Sequence, residues 1–324
     1  MTSFDEIRSS IAPELEDLNR DIRRGLHTSN RLMNEIVENY LKTKGKQIRP
    51  MLVLLSAKLL GRISEATIAS AASIEMLHNA SLIHDDVIDL TLKRRNEPTV
   101  NAVWDNHVAV LVGDYFVSSS LQMAMRTGSM ECVSIIARLG RTLSLGEIDQ
   151  IDTARSHQLT EEAYLSIIER KTASLFVACV QMGSLTSGAS SAETEKLCEV
   201  ARLLGLCFQI RDDIFDYFDS KNIGKPSGND LREGKVTLPL LYALSLTDRE
   251  ESARMNGLVR KQELSADDIA ELIDYARRSG GIDYAYETMR RLRQQAVDLI
   301  LTFPESDTRN AFILLFDYII RRDF

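Results

Sequence analysis

Apolar residues recur at three- and four-residue spacing along almost the whole chain, and no stretch keeps the alternation of a half-buried strand. The pattern predicts helices over roughly 10–24, 30–43, 50–61, 65–92, 107–126, 130–153, 161–187, 191–219, 237–247, 266–279, 282–302 and 305–320. Ser190 with Glu193, and Ser265 with Asp268, have the spacing at which hydroxyl and carboxylate each cap a backbone amide at a helix start. Pro304 suits a first turn, and Gly280–Gly281 a stop between two helices. With only 16 Gly and 6 Pro in 324 residues, and no repeat, low-complexity tract or linker, the expectation is an all-α bundle of long helices forming one domain over 1–324.

Composition narrows the function classes. A 44% hydrophobic chain can build a sizeable core. Its net charge of -8 and the absence of a basic run argue against nucleic acid as a partner, because there is no field to neutralise phosphates. The four cysteines form no Cys-x-x-Cys pair and read as reduced structural thiols, which together with the lack of a targeting pattern points to a cytoplasmic protein. Runs such as 51–57 and 311–316 are too short to span a membrane, so no transmembrane segment is expected.

Two carboxylate clusters break the apolar pattern. Asp85, Asp86 and Asp89 lie in NASLIHDDVID; Asp212, Asp213 and Asp216 repeat the spacing in LCFQIRDDIFDYF. On a helix the first and third Asp share a face one turn apart, with the second about 100° round. The flanks (Leu82, Ile83, Val87, Ile88 and Leu90; Phe208, Ile210, Ile214, Phe215 and Phe218) imply that both helices are substantially buried. Carboxylates crowded in low dielectric need a positive partner, and all-oxygen donors suit hard cations such as magnesium shared with substrate phosphates. A solvated acidic face is the plain alternative for one such cluster and a poor account of two.

Each cluster is followed by a basic loop: Lys93, Arg94 and Arg95 after the first, Lys225 and Lys235 after the second. Lys46 and Arg49 lie upstream in GKQIRP. Guanidinium and ammonium groups in this company suit diphosphate.

At this point the sequence resembles the trans-isoprenyl diphosphate synthases, the polyprenyl synthetase family. The resemblance runs through GKQIRP (45–50), HNASLIHDDVID (78–89), RRNEPTVN (94–101), GDYF (113–116), GEIDQ (146–150), ERKTASLF (169–176), QIRDDIFD (209–216) and GKPSGNDLREGKVTLPL (224–240). It implies the isoprenoid synthase fold, helices around a deep central cavity with the two clusters facing each other at its mouth, and a homodimer. It further implies that Lys46, Arg49, His78 and Arg95 bind isopentenyl diphosphate, and that Arg94, Lys171 and Lys225 hold an allylic diphosphate with Lys235 and Gln209 nearby. Asp85, Asp89 and Asp212 would be the chief ligands of three Mg2+ ions, supported by Asp86, Asp213 and Asp216. Thr172 and Gln209 would place dipoles near an allylic cation.

Two departures stand out. Asn96 follows the second Arg where Gly is common, leaving the backbone of that loop open, and Arg211 stands where an apolar residue is usual, its orientation also open.

The implied activity joins isopentenyl diphosphate to an allylic diphosphate by ionisation of the latter. Ser81 lies four residues before Asp85 and Ala80 five before, so each is placed to act as a graduation on a helical ruler whose turn of about 5.4 Å matches roughly one isoprene unit. Neither is bulky, which leaves the cavity open below Asp85, and the resemblance then implies an all-trans product of about C30–C50, octaprenyl favoured. The floor would then lie deeper, near Leu77, Met123, Ile136 or Leu143. A farnesyl- or geranylgeranyl-length product is the alternative. A terpene cyclase fits less well because DDIFD replaces the cyclase metal triad, a metal phosphohydrolase lacks paired His ligands around His84, and an inactive partner subunit does not account for six intact Asp.

Overall fold

The computed structural model describes residues 3–43, 45–156, 159–218, 227–246, 250–261 and 263–321. Lys225 lies outside them. In chain order the helices are α1 (Ser3–Ser9), α2 (Ala12–Leu26), α3 (Arg31–Tyr40), α4 (Ile48–Leu60) and α5 (Glu65–Ile88). A two-stranded hairpin, β1 (Lys93–Arg94) with β2 (Glu97–Pro98), precedes α6 (Val100–Val103), α7 (Asn106–Met125), α8 (Met130–Ser156) and α9 (Glu161–Ile168). A π-helical turn, Glu169–Ala173, leads into α10 (Ser174–Ser187) and α11 (Ser191–Phe215). Then follow α12 (Asn229–Arg232), α13 (Leu238–Ser245), α14 (Glu250–Leu258), α15 (Ala266–Arg278), α16 (Gly281–Ile300) and α17 (Asp307–Arg321).

Among the described residues the chain is all-α apart from the hairpin, and it divides into two compact units. The first comprises residues 1–140, 176–198 and 306–311; the second comprises 141–175, 199–305 and 312–324. In the first unit α4 and α5 are apolar nearly all round and buried on most faces, as expected of helices at the centre of a core. Small residues let α5 meet α7 closely: Ser73 Oγ donates to the Ser120 carbonyl at 2.7 Å, and the His84 ring lies against Gly113. In the second unit Tyr217, Leu240, Met255, Leu272 and Tyr275 form part of a buried cluster.

Both expected caps form. Ser190 and Glu193 exchange hydrogen bonds, as do Ser265 and Asp268. Pro304, by contrast, precedes α17 without opening it, and Ser306 Oγ accepts the Arg309 amide instead. By length and composition alone α7 is apolar enough to cross a membrane, which the run lengths had not suggested. Its Ala109, Val112, Phe116 and Met123 are nevertheless buried within the first unit.

In the second unit α11 touches the π-helical turn through Gly205, where an added Cβ would fall 2.5 Å from Ala173 Cα. Gly205→Val is therefore expected to destabilise the protein by roughly 2–3 kcal/mol through overpacking, read as a lower midpoint in thermal unfolding. An unchanged midpoint would mean that the two backbones are not held in this contact.

Candidate active site

In the first unit α5 stops at Ile88, not 92. Asp89 is its C-cap and Leu90 turns to φ +51. The cluster thus straddles a helix end, and its three members differ. Asp86 is buried at 3% exposure, Asp85 is half-buried and Asp89 exposed. Ile88 and Leu90 are exposed as well, so the flank is less buried than its composition suggests. The buried Asp86 is tied to the hairpin: Arg94 Nε and Nη2 both reach its Oδ1 at 2.9 Å.

The turn linking β1 to β2 has positive φ at Arg95 (+53) and Asn96 (+66), the backbone of a tight mirror-image hairpin turn. Asn tolerates that region better than other side chains, so Asn96 adopts the left-handed conformation available to the usual Gly. Arg95 Nη1 points to the Thr43 carbonyl at 3.4 Å, and its guanidinium lies against Gly45, where a Cβ would be 2.4 Å from Nη2.

His78, on α5, is buried. Burial, reinforced by Arg49, Arg95 and Arg94, holds its ring well below the usual imidazole value, so it is a neutral donor–acceptor among three guanidinium groups. Arg49 lies over the Phe176 ring at 5.7 Å, and Lys46 is exposed. Ser81 Oγ donates to the His78 carbonyl at 2.9 Å.

Ala80 is fully buried and recurs with Ser73, Leu77 and His84 on the stripe that meets α7, whereas Ser81 lies one turn from Asp85 on the neighbouring face. Of the deeper candidates, Leu77, Met123 and Ile136 are buried in the first unit, and Leu143 is half-buried in the second.

The second cluster has the same construction on α11. The helix ends at Phe215 instead of running to 219, Asp213 is buried at 5% exposure, and Asp212 and Asp216 are half-buried. Asp216 accepts the Asn229 and Asp230 amides, both at 3.0 Å, and so anchors α12. Asp213 receives Tyr164 OH at 2.6 Å and Gln209 Nε2 at 2.7 Å; Thr172 Oγ1 in turn donates to Gln209 Oε1 at 2.7 Å.

Thr172 and Lys171 sit on the π-helical turn, a local widening that often marks functional sites. Lys171 pairs with Glu147 at 2.5 Å, and Lys235 with Glu233. Arg211 faces aromatic rings: its guanidinium lies 4.3 Å from the Phe215 centroid and bonds Tyr286 OH, which gives the position usually held by an apolar residue a packed environment.

Burial pushes the Asp213 carboxyl up to about 6 despite the hydrogen bonds from Tyr164 and Gln209, and Asp212 and Asp216 add to the rise. Asp230 stands well above the carboxylate range, because of burial first and then Asp213 and Asp216. Buried carboxyls that crowd one another and offer only oxygen donors fit a hard divalent cation, whose charge would let them ionise together. Among the described residues no three His, Cys, Asp or Glu side chains converge to hold a metal by themselves. Such a cation would have to complete its shell with oxygens from water or phosphate, as Mg2+ commonly does.

Lys171, Thr172, Gln209, Asp213, Asp230 and Lys235 line a cavity of about 740 Å3 whose wall also includes Leu159, Ile168, Leu241, Val259 and Leu264. Asp212, Asp216, Ala80 and Ser81 do not line it. Tyr164, Glu147, Asp230 and Glu75 escaped the sequence reading. Tyr164 reaches its partner only through the fold; Glu147, inside the GEIDQ segment, Asp230, inside the GKPSGNDLREGK segment, and Glu75, a carboxylate within an apolar stretch of α5, carried a local signal.

A family model described as polyprenyl synthetase matches residues 30–276. The chain belongs to the polyprenyl synthetase family. An octaprenyl diphosphate synthase of Haemophilus influenzae is 33% identical over 328 aligned positions, covering 100% of this chain and 98% of that protein. Among solved structures, a decaprenyl diphosphate synthase from Rhodobacter capsulatus superposes on this family member with a TM-score of 0.92 at 32% identity, covering 98% of this chain and 99% of that one. A Caulobacter crescentus polyprenyl synthase complexed with calcium and isoprenyl diphosphate gives 0.90 at 30%, covering 98% of each chain. A geranylgeranyl pyrophosphate synthase from Bacteroides thetaiotaomicron gives 0.85 at 37%, covering 99% of each.

Proposed function

We propose that this polyprenyl synthetase condenses isopentenyl diphosphate with an allylic diphosphate to give an all-trans product of about C30–C50, octaprenyl favoured. The observation that carries the reading is the 740 Å3 cavity, with Lys171, Thr172, Gln209, Asp213 and Asp230 on a wall shared with aliphatic side chains. That combination suits a diphosphate joined to a hydrocarbon tail.

On this reading Lys171 and Lys235 exchange their carboxylate partners for the allylic diphosphate and neutralise it as its C–O bond breaks. Asp85, Asp89 and Asp212 would hold Mg2+, with Asp86, Asp213 and Asp216 in support. Bound there, three such ions would supply Lewis acidity to the leaving diphosphate. Asp86, fixed to Arg94, and Asp213, fixed to Tyr164 and Gln209, are suited to orienting the neighbouring carboxylates. The Thr172–Gln209 pair directs polar atoms toward the cavity, and its aliphatic lining excludes water from a developing allylic cation. His78, kept neutral, donates to the second diphosphate beside Arg49 and Arg95.

A homodimer belongs to the same proposal. Val110, Leu111 and Met125 are 42%, 64% and 66% exposed along one side of α7, an apolar edge suited to a second copy.

Incubation with labelled isopentenyl diphosphate, Mg2+ and geranyl, farnesyl or geranylgeranyl diphosphate, followed by chromatography of the dephosphorylated product, tests the function. Expected is a C30–C50 ladder that EDTA abolishes. Accumulation at C15 or C20 would select the short-chain reading, and no incorporation from any starter would overturn the activity.

A further inference from the structure

Glu75 is a carboxylate in an otherwise apolar stretch of α5, buried at 9% exposure. It lines a cavity of about 30 Å3 together with Tyr40, Gly45, Gln47, Asn79 and Arg95. A space of that size holds about one water and no phosphate, so Glu75 is not built to touch substrate through it. Arg95 shares that cavity with Glu75, and the charges of Arg95 and of Arg49, which lies over the Phe176 ring, both act on the carboxylate. Gly45 and the Thr43 carbonyl close on the Arg95 guanidinium beside the same cavity. Arg94, the third guanidinium near His78, already has its own buried carboxylate in Asp86. Two further like charges gathered around a neutral imidazole would repel one another; Glu75 is the buried anion that offsets them.

We infer that Glu75 is a positioning residue for the isopentenyl diphosphate site, its buried carboxylate offsetting the charge of Arg95 across the shared cavity, and that of Arg49 nearby, so that both guanidinium groups stay ready for the incoming diphosphate. The inference rests on the reading that Arg49 and Arg95 bind that substrate. Burial lifts the Glu75 carboxyl, and the two arginines act against that rise.

Steady-state kinetics with each substrate varied separately test it. Glu75→Gln, which keeps shape and removes charge, is expected to raise KM for isopentenyl diphosphate about tenfold while kcat and the allylic KM move less than about threefold. Glu75→Asp, which keeps the charge, should restore part of the loss. An unchanged KM for isopentenyl diphosphate in folded Glu75→Gln protein overturns the inference, as does an equal rise in both KM values. Should Glu75→Gln not fold, Glu75→Asp is read by the same split. Arg49→Gln runs in parallel: if it leaves KM for isopentenyl diphosphate unchanged, the reading of the arginines fails instead.

Discussion

Asp212→Asn is expected to lower kcat about a thousandfold while leaving the thermal midpoint nearly unchanged, because several kcal/mol of charge stabilisation disappear and each 1.4 kcal/mol is a tenfold factor. The other two members of the cluster hold neighbouring segments in place. Asp213 carries the hydrogen bonds of Tyr164 and Gln209, and Asp216 holds two amides of α12, so removing either also disturbs local structure. Asp212 is half-buried, and Asn keeps its size. Raising the Mg2+ concentration should recover part of the loss. Single-turnover rates within tenfold of the parent would show that the carboxylate is not a metal ligand in the rate-limiting step.

Ser81→Phe is expected to truncate the product from C30–C50 to about C15–C20, since a ring added one turn below Asp85 blocks the tail after its first few isoprene units. The structure separates this substitution from Ala80→Phe, although the sequence places both on one ruler. Ala80 is fully buried on the stripe through which Ser73 and His84 meet α7, so a ring there must first force the helices apart, at a cost of about 1–3 kcal/mol. Ser81 loses only a local hydrogen bond to the His78 carbonyl. Chromatography of dephosphorylated products from folded Ser81→Phe protein decides the matter. An unchanged ladder would mean that the tail does not run along this face of α5.

The long helices were legible in the sequence because a helix repeats its apolar face every turn, and α2, α5, α11 and α15 run for several turns. The short α1, α6, α12 and α14 and the hairpin were not, since a few residues hold too little periodicity. The ends of α5 and α11 were overestimated for a related reason. Apolar residues continue past Asp89 and Asp216, yet Leu90, with positive φ, and Phe218 are exposed. The residues that break a helix were read as extending it.

The same division governs the site. Spacing alone fixed the two Asp-Asp-x-x-Asp clusters and their basic loops, and the motifs around them carried the resemblance to the family, because these relations are local in the chain. Spacing left the members of each cluster alike. The fold decided that the middle Asp is buried in both, one tied to Arg94 and the other to Tyr164 and Gln209. It also decided that Ala80 is fully buried on the stripe through which α5 meets α7, that Arg211 turns to Tyr286 and Phe215, and that Glu75 shares a cavity with Arg95. Each of these partners is set by which distant element supplies the facing side chain, and only the packed chain specifies that.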